Sequence, residues 1–212
     1  MPLAVTINSV GEVIEASTNS FTAESLRLDV PPPFGSFVRI LPVSNDVPEA
    51  RDPFEEVAAP TGTVYGLVME ARTASREPNR RAVSFGLNED ELRRDQPQIW
   101  ELLATDFVCL IIAHAREGEI RPYLPPRPPR LHAPVDICSE SEVCRIVEGF
   151  AFLRAIATAD CACCDELMAA GLREGYRCSG KDEEFLVRTG RELAVLLTND
   201  YERLAAILRK LR

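Results

Sequence analysis

Histidine is almost missing from this chain of 212 residues: His114 and His132 are its only two. A Ser–His–acid triad or a histidine-rich metal centre therefore has very few places to form. Neither histidine is accompanied by a G-x-S-x-G elbow, the strained turn that presents a nucleophile in many hydrolases. Lysine is equally scarce, with Lys181 and Lys210 alone, so arginine carries almost all of the positive charge. No apolar run approaches the roughly 18–20 residues that a membrane-spanning helix needs. The opening residues MPLAVTINSV have neither a basic start nor a long apolar stretch, so no signal peptide is expected, and the cytoplasm is the expected compartment.

Positive charge is in short supply overall. The net charge is −9, and residues 1–125 hold 19 acidic against 11 basic side chains. A surface of that sign repels a phosphate backbone, which disfavours non-specific nucleic-acid binding by the N-terminal part. The apolar fraction of 46% is ample for a buried core.

A phosphate-binding loop is nearly present and then fails. Gly175-Tyr-Arg-Cys-Ser-Gly180-Lys181-Asp182 follows G-x-x-x-x-G-K, but an aspartate stands where a Ser or Thr should ligate magnesium. The preceding residues DELMAAGLRE read as a helix, whereas such a loop follows a buried strand. The string is expected to be a helix–helix loop. No catalytic motif is recognised, and no cofactor is expected.

Seven cysteines occur, six of them in the last 75 residues. Without a secretion signal they are expected to be reduced thiols. Cys161, Cys163 and Cys164 are the candidates for a metal or redox site. C-x-C-C at a helix start converges poorly on a tetrahedral ion, so packing is the favoured role. Cys109 lies in an apolar strand and reads as core.

Period-two patterning dominates the first half. Val10, Val13 and Ile14 mark one strand, Phe21, Leu26 and Leu28 a second, and Phe37, Val38, Ile40 and Leu41 a third, with a tight turn over 18–20. Residues 42–60 read as a long loop. Gly62–Ala71 is a strong strand, with Gly66 suggesting a bulge. Residues 72–82 (RTASREPNRRA) read as an exposed arginine-rich loop, 88–101 as one or two short helices, and 105–115 as a buried strand turned at Gly118 towards Ile120–Tyr123. Arg72, Arg76, Arg80, Arg81, Arg93 and Arg94 are the candidates for one interaction patch, although no aromatic residues stand between them to stack bases.

Six prolines fall within residues 122–134 (PYLPPRPPRLHAP), which predicts a stiff extended connection. The expected organisation is therefore a β-barrel domain over 1–125, a proline-rich linker over 126–136 and a helical domain over 137–212. In the last part, Ser139 and Glu142 form a capping box, and Val143, Ile146, Val147, Phe150 and Leu153 share one helix face. Asp160 is expected to cap a second helix that Gly175 ends. Asp182 opens a third, and Tyr201, Leu204, Ala205, Leu208 and Leu211 form the stripe of a fourth. The fold class is α+β, a small barrel followed by an all-α region of about four helices.

The N-terminal half resembles the HAS barrel, the small barrel named for HerA-type ATPases and the ATP synthase. The likeness rests on Val10-Gly11-Glu12-Val13, on Phe34-Gly35-Ser36-Phe37-Val38-Arg39-Ile40, and on Gly62-Thr63-Val64-Tyr65-Gly66-Leu67-Val68. It covers roughly residues 8–125. The resemblance implies a non-catalytic barrel that sits beside an ATPase, helps rings assemble and offers a surface to partners such as a nuclease. The chain departs from the family after the barrel, where a helical segment too short for an ATPase core follows. The leading expectation is a protein–protein adaptor that binds a partner or a copy of itself. The alternatives are a nucleic-acid-processing accessory that touches DNA through the arginine loop, and a metal- or redox-active protein that uses the C-terminal cysteines.

Overall fold

The computed structural model describes residues 9–42, 62–77, 82–198 and 200–211. It is a mixed α+β structure, an antiparallel sheet with helices packed on one of its faces. The strands are β1 (Ser9–Ala16), β2 (Ser20–Ser25), β3 (Phe37–Ile40), β4 (Thr63–Ser75), β5 (Leu103–Arg116), β6 (Glu119–Arg121) and β7 (Pro134–Ile137). Two short helices, α1 (Glu89–Asp95) and α2 (Gln98–Glu101), lie between β4 and β5. The strand order is β2-β1-β7-β3-β4-β5-β6, and β2 also pairs with β5.

Strands β4 and β5 form the spine, paired from Thr63 opposite Ala115 to Ser75 opposite Leu103. Strand β4 thus runs through Arg72 into the segment expected as a loop. Its register shifts at Tyr65/Gly66, as the glycine suggested. A methyl group on Gly66 would stand 2.9 Å from the Phe21 ring and 3.2 Å from the Cys109 Cβ. The missing side chain leaves room for the Phe21 ring and the Cys109 side chain there. The long loop expected at 42–60 lies, beyond Pro42, outside the described residues.

The proline-rich segment does not lead straight into helices. Pro125, Pro129 and Ala133 are buried, and residues 134–137 enter the sheet between β1 and β3. Pro134 is tolerated because it opens the strand, where its missing N–H costs the ladder least. The His132 N–H donates to the Val13 carbonyl at 2.8 Å and the Val13 N–H to the Ala133 carbonyl at 3.0 Å, tying the approach to β1.

Where about four helices were expected, five follow among the described residues: α3 (Glu140–Val147), α4 (Phe152–Ala157), α5 (Cys164–Cys178), α6 (Glu183–Leu196) and α7 (Tyr201–Arg209). The expected capping box at Ser139 and Glu142 starts α3, and Asp182 caps α6. The first expected helix divides in two because Phe150 adopts φ +53 and folds its ring into the core against Phe185, 5.3 Å away. Asp160 is not a cap, since α5 begins after Cys163, beyond a turn at 162–163. Nor does Gly175 end that helix. It lies inside α5 where a Cβ would meet the Phe185 ring at 2.7 Å, so its role is close approach between α5 and α6. Of the stripe expected on α7, Leu211 is buried and Leu204 and Leu208 pack against the core, whereas Tyr201 and Ala205 are exposed and Ile207 joins the buried face.

Alternation along β4 and β5 divides the burial between two cores. Val64, Val68, Cys109 and Ile111 point inward with Val13, Phe21, Val38, Phe107 and Val135. Tyr65, Leu67, Leu110 and Ile112 point outward and join Phe37, Phe152, Leu153, Leu167, Met168 and Leu172 beneath the helices. Both faces are covered over 64–68 of β4 and 109–113 of β5, so these stretches read as unbroken apolar runs.

Candidate functional site

The most developed polar cluster lies where α3 meets the sheet. Asp136 of β7 is almost fully buried and accepts a hydrogen bond from Ser9 Oγ at 2.8 Å. Its carboxylate stands 3.8 Å from Arg39 Nε. Arg39 Nη1 donates to Glu142 Oε1 at 2.7 Å, and Glu142 Oε2 accepts from the Ser139 N–H and Oγ, both at 2.8 Å. Burial by itself would raise the Glu142 carboxyl, but the hydrogen bonds from Arg39 and Ser139 together outweigh it and hold it below its ordinary value. Glu142 in turn holds the Arg39 guanidinium charged, above its ordinary value. Burial pushes the neighbouring Tyr65 phenol and Cys138 thiol upward. The cluster fastens the start of α3 to β3 and β7. It contains a cation, two carboxylates and neutral donors, and no activated nucleophile.

Beside it, Pro42, Gly62, Tyr65, Arg116, Gly118 and Arg145 border a cleft of about 390 Å³. Arg145 is committed there, since its Nη2 donates to the Gly118 carbonyl at 2.8 Å.

The arginine candidates divide into two groups. Arg72 stands opposite Asp106 across β4 and β5, and Arg76 grips Glu24 with both terminal nitrogens, Nη1 at 3.0 Å. Burial, followed by the adjacent Glu24, pushes the Asp106 carboxyl above its ordinary range, against the pull of Arg76 and Arg72. Arg93 binds Glu89 at 2.9 Å and lies 4.1 Å over the Trp100 ring, and Arg94 binds Asp95 at 2.9 Å. Arg80 and Arg81 lie outside the described residues. The four described arginines thus each face a carboxylate of this chain.

The cysteines differ from expectation. Cys161 and Cys164 form a disulfide, where reduced thiols were expected. Their separation of three residues brings the two sulfurs together across a single turn. Cys163, left unbonded between them, donates to the Met69 carbonyl of β4 at 3.6 Å. No group of three or more His, Cys, Asp and Glu among the described residues is arranged to hold a metal ion. Elsewhere, Cys144 Sγ donates to the Cys178 carbonyl at 3.4 Å. Burial and the touching Cys144 side chain raise the Cys178 thiol to about 12, and burial raises Cys109 well above its ordinary value.

The remaining motifs are accounted for locally. His114 is buried, with Nδ1 3.0 Å from the Tyr123 carbonyl and its ring edge-on to Tyr123. Exposed His132 places Nδ1 2.6 Å from a Glu12 carboxylate oxygen. Nδ1 of the one ring thus faces a backbone carbonyl and Nδ1 of the other a carboxylate. The string from Gly175 to Asp182 spans the last turn of α5, a left-handed turn at Gly180 (φ +72) and Lys181 (φ +63), and the cap of α6.

Sequence reasoning missed the Arg39–Glu142–Asp136 cluster. A buried aspartate in an otherwise apolar strand was the available signal, and it was hidden because 134–136 read as linker. The chain was compared with family models and with curated proteins, and no family model and no curated protein matches it.

Proposed function

We propose that the sheet is a small closed barrel of the HAS kind and that the chain is a non-catalytic adaptor. Its partner would be another protein, in a HerA-like ATPase or nuclease assembly, or a second copy of this chain. The observation that carries this reading is the circuit of strand pairing, which runs from β1 through β2, β5, β4, β3 and β7 back to β1. Strands paired on both sides spend their backbone groups on one another, so what the sheet offers outward is surface. Part of the surface outside the sheet is apolar. Val83, Phe85 and Leu87 are exposed on the segment leading to α1, and neither α1 nor α2 contains a buried residue. Scattered exposed apolar residues are ordinary, but a run of them beside two unburied helices suits a partner-binding arm.

Carboxylates facing Arg72, Arg76, Arg93 and Arg94 reduce what those side chains can offer to a phosphate backbone, so direct DNA contact has less support than protein contact. No helix among the described residues is long and apolar enough to cross a membrane.

The test is purification of the tagged full chain from its native source, with light scattering for oligomeric state and mass spectrometry of what accompanies it. Recovery of an ATPase or nuclease in fixed ratio, or a stable homo-oligomer, supports the adaptor. A strict monomer with no accompanying protein overturns it.

A further inference from the structure

We propose that Cys161 and Cys164 are a reversible dithiol–disulfide site, reduced by an external dithiol and reoxidised by a disulfide such as oxidised glutathione. The bridge has a sequence separation of three, and the entropic stabilisation from a cross-link grows with the length of chain it closes. It is therefore a poor brace. Helix α5 is anchored independently by Leu167, Met168 and Leu172, which are fully buried. A bond that contributes little to holding the fold is available for chemistry.

Three features of its surroundings favour exchange. Cys161 and Cys164 are partly exposed, within reach of a small thiol. Cys164 is the first residue of the 15-residue helix α5, where free backbone N–H groups and the helix dipole favour a departing thiolate. The first-turn acids that would oppose this are paired with cations of or just beyond α7: Asp165 with Arg203 at 2.7 Å, and Glu166 with Lys210. The reduced state is provided for as well, since the Cys161 carbonyl at 3.1 Å and the Ala159 carbonyl at 3.6 Å can accept from a Cys164 thiol. Cys163 is turned to the Met69 carbonyl and stays outside the exchange.

The step balances as follows. A thiolate of the external dithiol attacks the Cys161 sulfur, the sulfur–sulfur bond breaks, and Cys164 leaves as a thiolate that takes up a proton. The second thiol of the reductant then displaces Cys161, which is also protonated, and the reductant departs as its own disulfide. Two electrons and two protons pass to the protein.

The full-length protein is equilibrated in glutathione buffers stepped from fully reduced to fully oxidised, with dithiothreitol as the reducing limit. It is then acid-quenched, alkylated and digested with trypsin. The peptide 155–173 contains Cys161, Cys163 and Cys164 and no other cysteine. The expected result is a single transition from one alkylated cysteine in that peptide to three, lost in Cys161→Ser and Cys164→Ser and kept in Cys163→Ser. Each variant is checked for a cooperative melt, and the wild-type melt is expected to shift little between the two states. Three labels in every buffer, one label even in dithiothreitol, a glutathione adduct in place of the internal bridge, or loss of the transition in Cys163→Ser would each overturn the proposal. None of these outcomes bears on the adaptor reading.

Discussion

The inner and outer cores bury the same strands in different ways. The inner core is local to the sheet and its flanking segments, filled by Val, Ile, Ala and Cys side chains around Phe21 and Phe107. The outer core is a joint property: Phe37 and Tyr65 from the sheet meet Phe150, Phe152, Phe185 and Met168 from the helices. Large side chains therefore collect where two kinds of secondary structure meet, and small branched ones where strands face one another. The proline-rich segment marks a change in secondary structure, but packing continues across it.

The largest test of that comparison is a chain ending at residue 125. It loses Val135 from the inner core and Phe152, Leu153, Ile156 and Leu167 from the outer one, and each of these is essentially fully buried. We expect no cooperative unfolding transition by circular dichroism; a sharp melt would show that the sheet needs neither β7 nor the helices. Next, Phe152→Ala removes a ring 5.9 Å from that of Phe37 and is expected to cost about 3–5 kcal/mol in denaturant unfolding. Because the outer core is shared, strand and helix signals should still fall together, and two separated transitions would break the comparison. Glu142→Gln, which removes the ion pair with Arg39, is expected to cost about 1.5–3 kcal/mol near neutral pH. The carboxyl is held below its ordinary value, so its contribution is present above about pH 4.3 and fades as pH falls through the lowered value. The difference between wild type and variant should therefore shrink on acidification. In the inner core, Gly66→Ala places a methyl group against Phe21 and should cost about 1–3 kcal/mol, measured by thermal melting. Arg93→Ala, which removes an exposed i,i+4 pair and the contact over Trp100, should cost no more than about 1 kcal/mol.

Local signals were legible to the extent that they depended on neighbours in the chain. The Ser139/Glu142 box and the Gly118 turn are decided within a few residues, and they appear where the pattern placed them. Features set by distant partners were not. Strand β7 is four residues long and begins with proline, so its identity comes from the slot between β1 and β3 rather than from its own pattern. Gly175 read as a helix end because glycine is a weak helix former, yet contact with Phe185 outweighs that preference. For the arginine candidates, sequence shows the charge and conceals the carboxylates that face Arg72, Arg76, Arg93 and Arg94. The same holds for the polar cluster at the seam, where Ser9 and Asp136 lie 127 positions apart.

That separation bears on how the protein is made. Strands β1 and β3 leave the ribosome long before their shared neighbour, and each presents an unmatched edge until residue 137 has emerged. The β1–β2 hairpin can pair at once, whereas the last strand must find a gap prepared by segments far upstream, which is slow by topology alone. Over that interval the nascent chain is open to strand addition from other molecules.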